Sequence, residues 1–200
     1  MPHQPSYRGS PTILPNLATL ELSCSLAIFG AFCDRVSAPS LSSLSLSMFG
    51  SGRRSAPASS ALGRFLHRSG VPVRKLRVTT DGEELLRRCL PYLPHLEELT
   101  IHQARGGLHP GSSVLEPLLQ VGPTMPCPLL QTVEFDRCGA DIQWLLQFMR
   151  ARASNLHHGQ PVLRSVKVYF LTPPSGDVET LIAPFKTAGV HVDVKWTERR

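Results

Sequence analysis

The sequence predicts an α/β fold of a repetitive kind, a short solenoid of six parallel strands and then a seventh on the concave side, with helices on the convex side. Three observations predict it. An apolar hexad of the form L-x-x-L-x-L recurs six times along the 200 residues. Successive copies begin 24, 32, 23, 34 and 33 residues apart, which leaves room for a strand, a turn, a helix of two or three turns and a loop. A proline stands two residues ahead of five copies, as Pro15, Pro39, Pro94, Pro128 and Pro161, and one residue ahead of the other, as Pro72.

Each hexad reads as one strand. Its last three positions alternate apolar, polar, apolar, so one strand face enters a core while the other meets water. The proline lacks a backbone N–H and disfavours helix in the residue before it, so the incoming chain must become extended there. Parallel neighbours need a crossover of about a dozen residues or more, and the segments between hexads supply it.

In chain order, residues 1–12 carry prolines and serines without periodicity and read as a disordered tail. The repeats span 13–196, and 197–200 form a second tail. The first hexad is Leu17, Leu20 and Leu22. Residues 26–36 are short and interrupted by Gly30, which predicts irregular packing. After the second hexad (Leu41, Leu44, Leu46), residues 50–60 read as a polar loop. Leu62, Phe65 and Leu66 then make a short helical face ending at Gly70. The third hexad is Val73, Leu76 and Val78. Thr80-x-x-Glu83 reads as a capping box for a helix with Leu85, Leu86, Cys89 and Leu90 on one face and Pro91 at its end. Leu96, Leu99 and Ile101 form the fourth hexad. Beyond the loop glycines Gly106, Gly107 and Gly111, Ser113-x-x-Glu116 predicts a helix through Leu118, Leu119 and Val121. The fifth hexad is Leu130, Val133 and Phe135. Asp141 then caps a helix whose Ile142, Trp144, Leu145, Leu146, Phe148 and Met149 cover most of its circumference and imply deep burial. The sixth is Leu163, Val166 and Val168, after which Asp177 opens a helix with Leu181, Ile182 and Phe185, bent or shortened by Pro184. Finally Val190, Val192, Val194 and Trp196 alternate with His191, Asp193 and Lys195, which predicts the seventh strand.

Composition narrows the class. Apolar residues make up 42% and aromatics only 6%, which suits a leucine core tiled by small equivalent layers. The five cysteines show no C-x-x-C and no metal spacing, and read as reduced thiols of an intracellular protein, cytoplasmic or nuclear. No apolar run approaches the roughly 20 residues that span a bilayer, and the segment after Met1 has no apolar h-region, so neither a membrane nor a cleaved signal is expected.

Catalytic constellations are missing from the sequence. It holds no G-x-S-x-G, H-E-x-x-H, G-x-x-x-x-G-K-[ST], or G-x-G-x-x-G after a strand. His157 and His158 are adjacent rather than at helical metal spacing. Cys138, beside Asp136 and Arg137, reads as a buried turn cysteine in preference to an activated thiol. Arg53-Arg54-Ser55 before Pro57 reads as a solvated loop in preference to a phosphorylation site. No enzyme activity, cofactor or metal is expected.

The polar positions of the hexads are the candidate binding residues: Arg74, Lys75, Arg77, Glu97, Glu98, His102, Glu134, Asp136, Arg164, Lys167 and Tyr169. In a parallel stack equivalent positions are about 4.8 Å apart, so Arg74 should face Glu97, Lys75 face Glu98, and Glu134 face Lys167. The net charge of +6 therefore does not form a stripe of one sign. A nucleic-acid groove would keep one sign and interleave aromatics, and Tyr169 is the one aromatic near these positions. A nucleic-acid or phosphate binder acting through Arg74, Lys75 and Arg77 is the alternative of a different class.

The P-x-L-x-x-L-x-L form with units of 23 to 34 residues resembles a leucine-rich repeat of the ribonuclease-inhibitor-like kind, and in particular the substrate-binding half of F-box proteins, especially fungal ones. Residues 93–101 and 127–138 carry the resemblance best. The family places Asn or Cys eight residues after the first leucine; Cys138 fits, whereas Ser25, Phe49, Asp81, Ala104 and Leu171 depart from it. The resemblance implies a non-enzymatic module that recruits a protein substrate to a ubiquitin ligase, with ligase components as further partners where an F-box lies upstream. Nothing in the sequence resembles the F-box itself. The other expectation is thus a solitary or truncated repeat fragment whose amino end, residues 1–60, needs another segment or chain against its first strand, with slow hydrogen exchange at the fifth and sixth hexads and fast exchange at the first two.

Overall fold

The computed structural model describes residues 10–49, 55–70, 72–80, 86–87, 89–103, 116–120, 122, 125–138, 142–153, 156–157, 160–174 and 176–196. Its centre is a sheet of seven strands, and every hexad contributes one. A short strand β1 (Thr12–Ile13) precedes β2 (Thr19–Ser25), and helix α1 (Leu26–Arg35) leads through β3 (Val36–Ser37) to β4 (Ser43–Phe49). Helix α2 (Ser55–Ser69) is followed by β5 (Lys75–Thr80), β6 (Glu98–Gln103) and β7 (Thr132–Cys138). Helix α3 (Ile142–Ala153), the small strands β8 (Leu156–His157) and β9 (Gln160–Pro161), β10 (Ser165–Phe170), helix α4 (Val178–Thr187) and β11 (His191–Trp196) complete the order. The large sheet runs β11-β10-β7-β6-β5-β4-β2, so its order in space is its order in sequence, and every pairing is parallel.

One joint recurs between neighbouring strands. The carbonyl of Ala18 accepts the N–H groups of both Ser42 and Ser43, that of Ser42 those of Arg74 and Lys75, and that of Arg74 those of Glu97 and Glu98. Glu97 and Gln131 repeat it toward the next two strands. Ahead of four hexads the proline fills the second position of a β-turn, closed by Leu17 N–H to Leu14, Leu41 to Ala38, Leu96 to Leu93 and Leu130 to Cys127. Proline presets φ for that position, so it builds the bend as well as stopping the preceding segment.

Leu44, Leu46 and Met48 of β4 and the apolar hexad positions of β5, β6, β7 and β10 are buried and share one core with Phe29, Leu62, Phe65, Leu145, Phe148 and Ile182 of the helices. The helices therefore cover one face of the sheet. Phe135 lies edge-on to Trp144 and Phe148, at 5.2 and 5.9 Å between ring centroids, which fills the middle of this core. At β2 burial falls off: Leu17, Leu20, Leu22 and Cys24 are only partly covered.

Several expectations need correction. Residues 26–35 are helical despite Gly30, because Phe29, Cys33 and Val36 at helical spacing reach the core. Arg68 of α2 donates to the carbonyls of Cys33 and Val36 at the end of α1, and Arg64 pairs with Asp34 at 2.7 Å. The expected loop over 50–60 is helix from Ser55 onward, with Pro57 in its first turn, where a missing N–H costs nothing. Ahead of Pro91 the described α-helical residues do stop, at Cys89, and Pro91 itself lies within a 3-10 turn, Leu90–Tyr92. Between β6 and β7 the predicted helix is, among the described residues, a 3-10 turn at Glu116–Leu119. Pro184 stays inside α4, which Asp177 caps through the Thr180 N–H. Thr12, placed in the tail, pairs with Val36. Strand β4 is bonded on both sides, so only β2 keeps the exposed position expected of both amino-terminal strands. Residues 53–54, 81–85, 104–115, 121, 141, 158–159 and 197–200, where parts of other expectations fall, lie outside the described residues.

Candidate protein-interaction face

Alternation sends the polar residues of all seven strands to the sheet face that carries no helices among the described residues. The register sets them in rows: Lys75 beside Glu98, Arg77 between Ser45 and Thr100, and Thr79 beside His102, which neighbours Asp136. Two of the expected pairs form, Arg74 to Glu97 at 3.3 Å and Lys75 to Glu98 at 2.9 Å. Glu134 and Lys167 are register partners, and Lys167 is flanked on its other side by Asp193. Arg164 is exposed at the entry to β10, where its carbonyl accepts the His191 N–H.

Three features escaped the sequence reading. His102 Nδ1 lies 2.9 Å from Asp136 Oδ2, both side chains partly buried. Lys195 sits 5.5 Å over the Tyr169 ring and 2.9 Å from Asp193, which extends the face onto β11. Two residues of β7 oppose the single Tyr169, and one of them, Arg137, has φ 56°. Such a bulge bends the strand and turns its side chains, here beside the His102–Asp136 pair. The continued alternation in residues 191–195 was the signal for Asp193 and Lys195; nothing in the sequence marks the bulge.

The face presents paired charges and hydrogen-bonding side chains. Among the described residues no three His, Cys, Asp or Glu side chains gather as a metal-binding group. The side chains of Cys138 and His157 lie outside the described residues.

The other thiols are held protonated. Loss of solvation pushes Cys33 and Cys127 up to about 12, with Asp34 adding to the effect at Cys33, and burial pushes Cys89 up as well. Because the thiolate is the nucleophile, iodoacetamide at mildly alkaline pH is expected to leave these three unmodified in the folded chain and to alkylate them in urea. Rapid native labelling at any of them would contradict their burial. The folded pKa values lie above the ordinary 9.0, so the folded state binds more protons; their contribution is complete below pH 9.0 and is lost as pH rises toward about 12.

Compared with known proteins, the chain matches no family model and none of the curated sequences. No helix among the described residues is long and apolar enough to cross a membrane.

Proposed function

We propose that the chain is a non-enzymatic protein-recognition module, a short leucine-rich-repeat solenoid that binds a protein on its open sheet face. The observation that carries this reading is the face itself: seven strands of polar side chains in register, roofed by nothing among the described residues, opposite a face closed by helices. The strand joint repeated along the sheet supports the repeat assignment. The neutralised pairs Arg74–Glu97 and Lys75–Glu98 favour a mixed-charge protein surface over a polyanion. By the resemblance of its hexads, its role is to recruit the substrate of a ubiquitin-ligase adaptor.

Selection of a random displayed-peptide library on the immobilised chain tests the reading. Selected peptides are expected to lose about tenfold or more in affinity to Arg77→Glu and Lys167→Glu, and to be indifferent to Arg64→Glu on the helical side. Ligands insensitive to both face substitutions would remove the face from the function. Filter binding of generic RNA checks the polyanion alternative: steeply salt-dependent retention that Arg77→Glu abolishes would favour it.

A further inference from the structure

The outer edge of β2 ends the large sheet on the amino-terminal side and is distinct from the sheet face. At each joint the first carbonyl of a strand points to the next strand, as Ala18 points to Ser42 and Ser43 on β4. Backbone groups alternate sides along a strand, so the N–H and C=O groups of Leu20 and Leu22 also face β4, and those of Thr19, Glu21 and Ser23 face outward. Among the described residues no strand pairs with that edge. Of the usual protections it carries one charge, Glu21: β2 holds no proline, no lysine and no bulge, and it pairs regularly with β4 over seven residues. The apolar layer behind it is unfinished. Leu44, Leu46 and Met48 on β4 are 1, 1 and 3% exposed, whereas their neighbours Leu20, Leu22 and Cys24 remain partly open.

We infer that the β2 edge accepts an extended segment of another protein as a parallel eighth strand, with apolar residues at alternate positions and a lysine or arginine opposite Glu21. Backbone pairing would hold the segment, and its apolar side chains would complete the layer over Leu20 and Leu22. The charge requirement comes from Glu21, which is exposed and has Ser45 as its register neighbour on β4. A carboxylate so placed favours an opposite charge directly across the strands and disfavours a like one. That argues against a second copy of this chain. Continuing the sheet through β11, in the register by which β11 joins β10, would set Asp193 opposite Glu21, and a two-fold pairing centred on Glu21 would oppose it to itself. Residues 1–9 hold two prolines and no apolar alternation, a pattern that does not suit the segment.

The probe is a dye-labelled synthetic peptide with the sequence of residues 39–47 and lysine in place of Ser45, compared with the same peptide carrying glutamate there. In fluorescence anisotropy with the full chain, the lysine peptide is expected to bind about fivefold or more tightly than the glutamate peptide, and Glu21→Lys is expected to reverse the order. Ser23→Pro removes only an outward N–H, so it should keep the melting temperature and abolish binding. In amide exchange the protons of Thr19, Glu21 and Ser23 should be fast in the free chain and slow with the lysine peptide, with those of Leu20 and Leu22 slow throughout. Failure of the lysine peptide to bind, or binding unchanged by Ser23→Pro, would overturn the inference. So would slow exchange at Thr19, Glu21 and Ser23 without peptide: dependence on protein concentration would assign the edge to a second copy, and independence would assign it to the chain's own residues.

Discussion

Leu99→Asp is expected to destabilise the chain by about 3 to 5 kcal/mol, a fall of about 10 °C or more in Tm. Leu99 is 1% exposed and stands in register between Leu76 and Val133, themselves 2 and 0% exposed. A carboxylate there meets three strands of hydrocarbon and no described cation. The folded-state pKa of the new carboxyl would therefore rise above its unfolded value. The variant should lose least at acid pH, where the group is neutral in both states, and the loss should grow as pH climbs above the unfolded carboxylate range. Leu99→Asn, which carries no charge, should show no such trend. Glu98→Ala is the neighbouring control: Glu98 pairs with Lys75 across partly exposed side chains, and such pairs contribute only about 0 to 1 kcal/mol. Thermal melts of the three variants over a pH series decide the matter. Similar small shifts for Leu99→Asp and Glu98→Ala would remove Leu99 from the core.

The strands were legible because each is short and alternates and six of the seven follow a proline, which in four cases builds a turn, so period and punctuation agree. That agreement also fixed the register well enough to foresee Arg74 beside Glu97 and Lys75 beside Glu98, pairs that need only equal offsets from the first apolar residue of two hexads. The helices were harder. Gly30 disguised α1, whose carbonyl end is closed by a residue distant in sequence, Arg68 of α2. Pro57 disguised the start of α2, since a proline in a first turn and one in a loop look alike without the following turns. The region before β7 shows the reverse error: a capping signature and apolar spacing predicted a helix, and the described part is a single 3-10 turn. There Pro117 and the tertiary contacts prevailed over local propensity.

The face was legible in outline and illegible in detail for a similar reason. His102 and Asp136 occupy equivalent outward positions of adjacent strands, so their proximity follows from register. Their bond depends on side-chain rotamers that no spacing encodes. The bulge at Arg137 depends on a mismatch between β7 and β10 that appears only when both strands are placed. Cys127 is a further case. It takes φ 52° in the bend before β7, a conformation that glycine marks in most sequences, and the support for that bend comes from a residue 25 positions later.

That residue is Arg152, and its replacement should be the most damaging change to a polar side chain in the described core. It is 2% exposed in the last turn of α3, where the sequence suggests an ordinary solvated cation. Its Nε donates to the Leu118 carbonyl at 3.1 Å, and its Nη1 donates to those of Pro126 and Cys127 at 3.0 Å each. The guanidinium thus ties the 3-10 turn and the bend before β7 to α3, while stacking 6.0 Å from the centre of the Phe148 ring. Burial lowers its pKa, so the charge is held at a cost that the carbonyls offset. Arg152→Met keeps much of the volume and relieves that cost, but it takes the guanidinium donor from the Leu118 and Pro126 carbonyls, at about 1 to 3 kcal/mol each before local relaxation, while the Cys127 carbonyl keeps only the Leu130 N–H. The second effect should win, with a net loss of about 3 kcal/mol and a Tm lower by about 8 °C. Arg150→Met, two residues away and exposed, should stay within about 0.5 kcal/mol. A local readout separates lost hydrogen bonds from lost packing: with the bend no longer tied to α3, Cys127 should become open to iodoacetamide in the folded Arg152→Met variant while Cys33 stays protected. A Met variant as stable as the parent, with Cys127 still unreactive, would show that the bend holds itself and that Arg152 is there at the fold's expense.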